Sequence, residues 1–403
     1  MMGSSRPDVT DDTLSAQQVT NVAIMWGIYA AFYLGRLNLS PALPAIAESL
    51  KIGLGEVGIL GNVFFWCYAA GQVINGQLGS LVRPHRVVLA GLLLVAAANI
   101  GFALQSSLGM MIVLWGVNGF AQSMGWGPML RILSSHITGG QKRRISTFFS
   151  MSFQVGTSVA WGLSALLIAL GGFRLAFVVP GVILLGVALF WRSTGLDAGR
   201  ESVVPQRSSL TAIFTDVRRL FPALLIAAST GFVYIGFLIW LPTFIQSSDF
   251  LPDTINSILT ALIPLVGIPG MLLSGRLLAR QSSIFMTLVQ VLLGLFICLW
   301  VSSATSALIQ FVALLGAVML ASGIAALSLT TIPMLLVSQE RVSSAGGLIT
   351  AVWSIAGGLA GTVVGSLAER SGWTAVFYLW MACTLAAVTV ALMTWMKNRQ
   401  SRL

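Results

Sequence analysis

Residues 22–50 read VAIMWGIYAAFYLGRLNLSPALPAIAESL, an apolar run long enough to cross a bilayer and carrying, ahead of Glu48 near its end, a single charge, Arg36. The nearest charged residues are Asp12 before it and Glu48 after it. Glu48 is 12 residues away, about 18 Å along a helix rising about 1.5 Å per residue. That is too far from the helix end for a snorkelling side chain. An unpaired cation at such depth costs at least about 2.5–3.5 kcal/mol, so Arg36 is expected to face a cavity, a partner or a substrate. Its natural complement is an anion.

The rest of the chain is built in the same way. Of its 403 residues 56% are hydrophobic and only 8% are charged, with a mean hydropathy of +0.90. A soluble core cannot hide that much apolar surface, and the composition is that of a polytopic membrane protein. Cys67, Cys298 and Cys383 all fall in apolar runs, at spacings that suit neither disulfides nor a metal site. His85 and His136, the two histidines, sit at loops, so no metal and no cofactor are expected. Residues 1–18 are polar and carry Asp8, Asp11 and Asp12, which leaves no apolar core for a cleavable signal.

A ruler of about 20 apolar residues gives an all-α protein of twelve transmembrane helices in two pseudo-symmetric six-helix bundles. The expected spans are 20–47, 55–82, 86–105, 107–136, 145–170 and 173–192, then 219–246, 253–279, 283–303, 306–337, 343–368 and 372–396. Residues 1–19 and 397–403 are read as tails, 20–192 and 219–396 as the two bundles, and the polar stretch 193–218 as the linker between them. FFSMSFQVGTSVAWG in the fifth span matches TAVWSIAGGLAGTVVG in the eleventh and places Gly156 over Gly357, which implies duplication. With the N-terminus inside, eighteen basic residues face the cytoplasm and three, Lys51, Arg174 and Arg370, face outward. This bias puts both termini in the cytoplasm. It also accounts for the net charge of +10 without nucleic acid, since the basic residues are scattered over short loops.

Two stretches carry a family resemblance. Gly76-Gln-Leu-Gly-Ser-Leu-Val-Arg83-Pro-His-Arg86 looks like the loop signature of the major facilitator superfamily, with Ser80 in place of its usual aspartate. Tyr33-Leu-Gly-Arg-Leu-Asn-Leu-Ser40 with Pro44, and Asn118-Gly-Phe-Ala-Gln-Ser-Met-Gly-Trp-Gly-Pro-Met-Leu-Arg131, resemble the organophosphate:phosphate antiporter family of glycerol-3-phosphate and hexose-phosphate carriers. The resemblance implies a carrier that works by alternating access, with Gly76, Arg83, Arg86 and Arg131 at a cytoplasmic gate. It implies that Arg36 holds the substrate anion and that Tyr33 and Tyr68 line the cavity. A second family arginine is replaced by Tyr234, a lysine by Gln72, and a histidine by Phe153 beside Gln154. Trp126 and Trp353 stand at matching depths in the two halves and are further candidates to pack on a ligand. Helix packing explains each of these tyrosines, glutamines and tryptophans equally well when taken alone.

Two guanidinium forks hold a phosphate dianion well, whereas a single arginine better suits a monoanion or carboxylate. The expected substrate is therefore a small organic anion: a phosphate ester, a phosphonate or a carboxylate. The hexuronate-type anion symporters share an arginine-asparagine pair like Arg36 and Asn38 and are an alternative, as is a non-transporting sensor of a phosphorylated metabolite. No acid lies inside a span to carry a proton, which favours anion exchange, with inorganic phosphate as a candidate counter-substrate. No phosphate-binding loop and no catalytic constellation is visible, so an enzyme or ATP-driven pump is not expected. The short loops suit a monomer in a bacterial inner membrane, in contact with lipid on all sides.

Overall fold

The computed structural model describes residues 15–78, 82–136, 141–197, 210–247, 253–281, 283–304, 307–336 and 342–400, and their regular structure is helical throughout. The first span is two helices, α1 (Ala16–Phe32) and α2 (Leu39–Leu50), joined through a tight turn at Tyr33–Gly35. The second is α3 (Leu54–Val57) and α4 (Ile59–Leu78), hinged at Gly58. There follow α5 (Pro84–Ala103), α6 (Leu108–His136), α7 (Gln141–Gly171) and α8 (Leu175–Thr194). The second half opens with α9 (Leu210–Gln246) and α10 (Asp253–Leu262), and a 3-10 segment at Ile263–Val266 leads into α11 (Gly267–Ala279). It continues with α12 (Ile284–Ala304) and α13 (Ala307–Ala326), a π-helical segment at Leu327–Thr331, α14 (Ile332–Leu336) and α15 (Val342–Gln400).

Ten helical stretches are long and apolar enough to cross a membrane. That number counts α15 once, although Gly372 breaks it with φ 77° and ψ 171°, and it omits α6, whose Asn118, Gln122 and Ser123 lower its hydropathy. With these two adjustments the helices are consistent with twelve crossings. Leucines such as Leu308, 74% exposed, and Leu170, 71% exposed, stand on the outer surface, where only lipid makes such exposure favourable.

Two sequence expectations need correction. Residues 210–218, read as the end of the linker, begin α9, because Leu210, Ile213, Phe214 and Val217 recur at helical spacing. The first span, read as one helix over 20–47, is broken. Pro41 lacks the N–H that would bond the carbonyl of Leu37, and its ring crowds that carbonyl, so α1 cannot run straight into α2. Arg36 N–H bonds Tyr33 O at 3.2 Å instead of Phe32 O. In a membrane the released carbonyls need donors, and α5 and α6 supply them. Gln122 Nε2 donates to Phe32 O at 2.9 Å, Asn118 Nδ2 to Gly35 O at 2.7 Å, and Asn99 Nδ2 to the same oxygen at 3.0 Å. Asn38 Nδ2 donates to Asn99 Oδ1 at 2.8 Å and to Ala176 O at 2.9 Å.

The duplication is visible in how the helices cross. A Cβ at Gly156 on α7 would lie 2.8 Å from Ala30 O on α1, and one at Gly357 on α15 would lie 2.8 Å from Gly231 O on α9. The fifth and eleventh spans thus press on the first and seventh through equivalent glycines. The halves meet at the end of the bundle that carries Lys51. There Gly58 and Gly361 bring α4 and α15 into backbone contact. Asn62 Nδ2 donates to Thr362 Oγ1 at 2.8 Å, and Thr362 N donates to Asn62 Oδ1 at 2.9 Å. Ser40 Oγ donates to Leu238 O at 2.6 Å, tying α2 to α9.

These contacts generate two predictions. Gln122→Leu leaves Phe32 O buried without its donor and is expected to cost about 1–3 kcal/mol; Asn118→Leu costs less, since Asn99 still serves Gly35 O. Thermal unfolding in detergent checks the order, which is wrong if Asn118→Leu is the more damaging. Gly361→Ala overpacks the crossing at Gly58 by about 1–3 kcal/mol, which disfavours closure of this end by about 5- to 150-fold. Labelling of Ser40→Cys by a polar thiol reagent, with the three native cysteines replaced by serine, is expected to speed up accordingly.

Candidate functional site

Arg36 emerges exactly one residue beyond the tight turn, where the broken backbone turns its side chain between the first and second spans. It is 9% exposed. Its guanidinium carbon lies 4.7 Å from the ring centre of Tyr68, 5.4 Å from Phe64, and 5.5 Å from both Phe65 and Tyr33. Four π-faces at these distances attract a cation, the Tyr68 ring lying closest. Tyr33, Tyr68 and Tyr29 are its electrostatic partners, all neutral as phenols, and its Nε has no hydrogen-bond partner. Among the described residues no carboxylate neutralises it.

From Arg36 a line of aromatic rings crosses to the other half. Tyr33 meets Phe153 edge-on at 5.1 Å, Phe153 stacks on Tyr234 at 6.2 Å, and Tyr234 packs on Trp353 at 5.5 Å. In the other direction Tyr33 shares a 3.1 Å hydroxyl hydrogen bond with Tyr29, whose ring lies 5.0 Å from Trp126. The Tyr234 hydroxyl lies close to the side chains of Gln154 and Ser322, which line the same void. Two small voids flank α9. One of about 10 Å³ is bounded by Arg36, Ser40, Phe64, Phe65, Trp115 and Ile239. The other, of about 20 Å³, is bounded by Gln154, Trp161, Tyr234, Leu238, Pro264 and Ser322, among others. Each has room for about one water-sized group, so the site is contracted.

Most of the residues singled out in the sequence lie on this line. Arg36, Tyr33 and Tyr68 are in direct contact, Gln154, Tyr234 and Trp353 form the far end, and Trp126 touches Arg36 only through Tyr29 and Tyr33. Gln72, one turn past Tyr68 on α4, is half-buried. Of the gate candidates, Arg83 and Arg86 are exposed at the start of α5 and Arg131 is half-buried near the end of α6. Gly76 belongs to α4, while Ser80 lies outside the described residues. Sequence reasoning missed Phe64, Phe65 and Ser322. Nothing distinguishes them from ordinary packing residues until the break in the first span and the fold of the second half bring them to the site.

Comparisons with known proteins identify the family and the fold. The Major Facilitator Superfamily model matches residues 25–361. The chain is 24% identical, over 93% of its length and 90% of the relative's, to a Chlamydia trachomatis protein described as "Probable hexose phosphate transport protein". It is 26% identical, over 88% of its length and 83% of the relative's, to the phosphoglycerate transporter protein of Salmonella typhimurium. Among solved structures, an inward-facing, unoccupied bacterial homolog of the human lysosomal transporter Spinster aligns with a TM-score of 0.75 at 16% identity, over 96% of this chain and 98% of that one. At that identity the likeness is one of fold. A family model spanning most of the chain, on a helical frame that brings two similar halves around a buried cation, makes this protein a membrane transporter of the Major Facilitator Superfamily and not an enzyme.

Proposed function

We propose that the chain is a secondary carrier for a small organic anion, a phosphate ester, phosphonate or carboxylate, and that Arg36 binds the anionic head. The observation that carries this reading is a buried guanidinium whose described neighbours are all neutral. The aromatic rings partly replace water around it, but none supplies a negative charge, so a bound anion completes the site. The hexose phosphate and phosphoglycerate named for the relatives belong to the same chemical class. A lone arginine favours a singly charged head over a dianion that needs two forks.

In this reading Tyr33, Tyr68, Gln72, Trp126, Gln154, Tyr234 and Trp353 line the route, and residues 20–192 and 219–396 rock against each other around it. The Lys51 end faces out of the cell and is closed in this structure, while Gly76, Arg83, Arg86 and Arg131 form the cytoplasmic gate. The charge bias of the loops supports an inner-membrane protein with both termini in the cytoplasm. Turnover proceeds by exchange, with inorganic phosphate as a candidate counter-substrate, because an empty carrier would have to reorient with Arg36 uncompensated.

Arg36→Lys keeps the charge but loses the planar fork, and is expected to lower exchange by at least about tenfold; Arg36→Gln is expected to abolish it. Counterflow in proteoliposomes, with competition by phosphate esters, phosphonates, sugar acids and short carboxylates, measures both. Full activity of Arg36→Gln, or equal competition by neutral solutes, contradicts the anion reading. Efflux into anion-free buffer is expected to run well below exchange, and equal rates contradict the exchange mode.

A further inference from the structure

The second void has no charged residue among those that bound it, and it lies where two helices of the C-terminal half lose their regularity. Ile263 and Pro264, in the 3-10 segment before α11, form one wall. Ser322, on α13 just before the π-helical segment at Leu327–Thr331, forms another. Irregular turns of this kind inside helices recur at functional sites. Gly267, the first residue of α11, has no side chain because a Cβ there would overlap both the Gln154 amide and the Ser322 hydroxyl.

The polar groups around the void are unevenly satisfied. Ser322 Oγ donates to Val318 O at 2.9 Å, and Gln154 Nε2 reaches only the Met271 sulfur at 4.0 Å. The indole N–H of Trp161, a residue only 2% exposed that lines the same void, has no partner. A buried donor left in that condition calls for an acceptor. About 20 Å³ is the size of one hydroxyl group or water. A hydroxyl also suits the chemistry, since it accepts from Trp161 and donates to the Gln154 carbonyl or the Ser322 oxygen. A carboxylate or phosphate does not, because no cation there would offset its desolvation.

We infer that Gln154, Trp161, Tyr234 and Ser322 form an uncharged subsite for a hydroxyl group of the substrate, so that the transported solute has one anionic head at Arg36 and a neutral, hydroxylated tail. The inference rests on the anion reading of Arg36. Tyr234 connects the two ends, since it lines the neutral void and is joined through the Phe153 ring to Tyr33 beside Arg36.

Binding to the purified protein in nanodiscs tests it, using pairs that share a head and differ in the tail: propanoate with glycerate, and propyl phosphate with glycerol 3-phosphate. Malonate supplies a second charge in place of the hydroxyls. The wild type is expected to prefer the hydroxylated member of at least one pair by about tenfold and to bind malonate more weakly than glycerate. One hydrogen bond accounts for about three- to tenfold. Ser322→Ala and the near-isosteric Trp161→Phe are each expected to reduce that preference to threefold or less, by weakening the hydroxylated member more than the unhydroxylated one. Equal binding within both pairs, a preference that survives in both variants, malonate binding as tightly as glycerate, or no binding of any member at millimolar concentration overturns the subsite. Arg36→Gln separates the two claims, since anions that still bind it while keeping the hydroxyl preference refute the anion reading and leave the subsite standing.

Discussion

The structure depends on how the backbone of the first span is satisfied where its helix breaks. A membrane interior offers no water to a released carbonyl, so a break persists only where side chains supply the donors. Here Gln122, Asn118 and Asn99 do so, reaching Phe32 O and Gly35 O from two neighbouring helices. The same three amides fix the rotation of the segment that carries Arg36. Polar residues that lower the hydropathy of α6 are therefore the reason the cation points between the halves and not into lipid.

The aromatic box then sets the electrostatics. Four rings between 4.7 and 5.5 Å from the guanidinium hold it without neutralising it. A carboxylate in that position would have formed a closed ion pair, stable but with little left to offer a substrate. Quadrupoles provide part of the solvation and leave the net charge in place. This is the arrangement expected of a residue whose partner comes and goes.

Much of this was legible in the sequence. The helical class, the positions of the crossings and the equivalence of Gly156 with Gly357 follow from apolar run length and from residues that allow close helix contact. Arg36 announces itself because a charge is rare in such runs, whereas Tyr33, Tyr68, Gln154 and Tyr234 are singled out through the family resemblance and Trp353 through its depth matching that of Trp126. Three features were not legible. The effect of Pro41 depends on whether neighbouring helices can serve the carbonyls it frees, which is a tertiary fact. Phe64, Phe65 and Ser322 are common residue types in apolar helices, and only the fold gathers them. The start of α9 was hidden because its residues mix helix-face apolar positions with the polarity of a linker.

Charge conservation links the geometry to the proposed mode of action. Among the described side chains no carboxylate lies beside Arg36 to take up a proton as an anion departs: Glu48, Glu56 and Glu369 are exposed, and Asp197 follows α8, where it accepts from His85 N. Reorientation then carries either a neutral complex of arginine and anion or a bare cation. Moving the bare cation through the contracted state would strip it of the water that solvates it in an open cavity, a penalty of several kcal/mol for one ion. Four π-faces offset only part of that, at about 0.5–2 kcal/mol for a cation–π contact. In the proposed exchange mode the loaded carrier would reorient faster than the empty one by whatever remains, and that difference in barrier is what would make exchange obligatory.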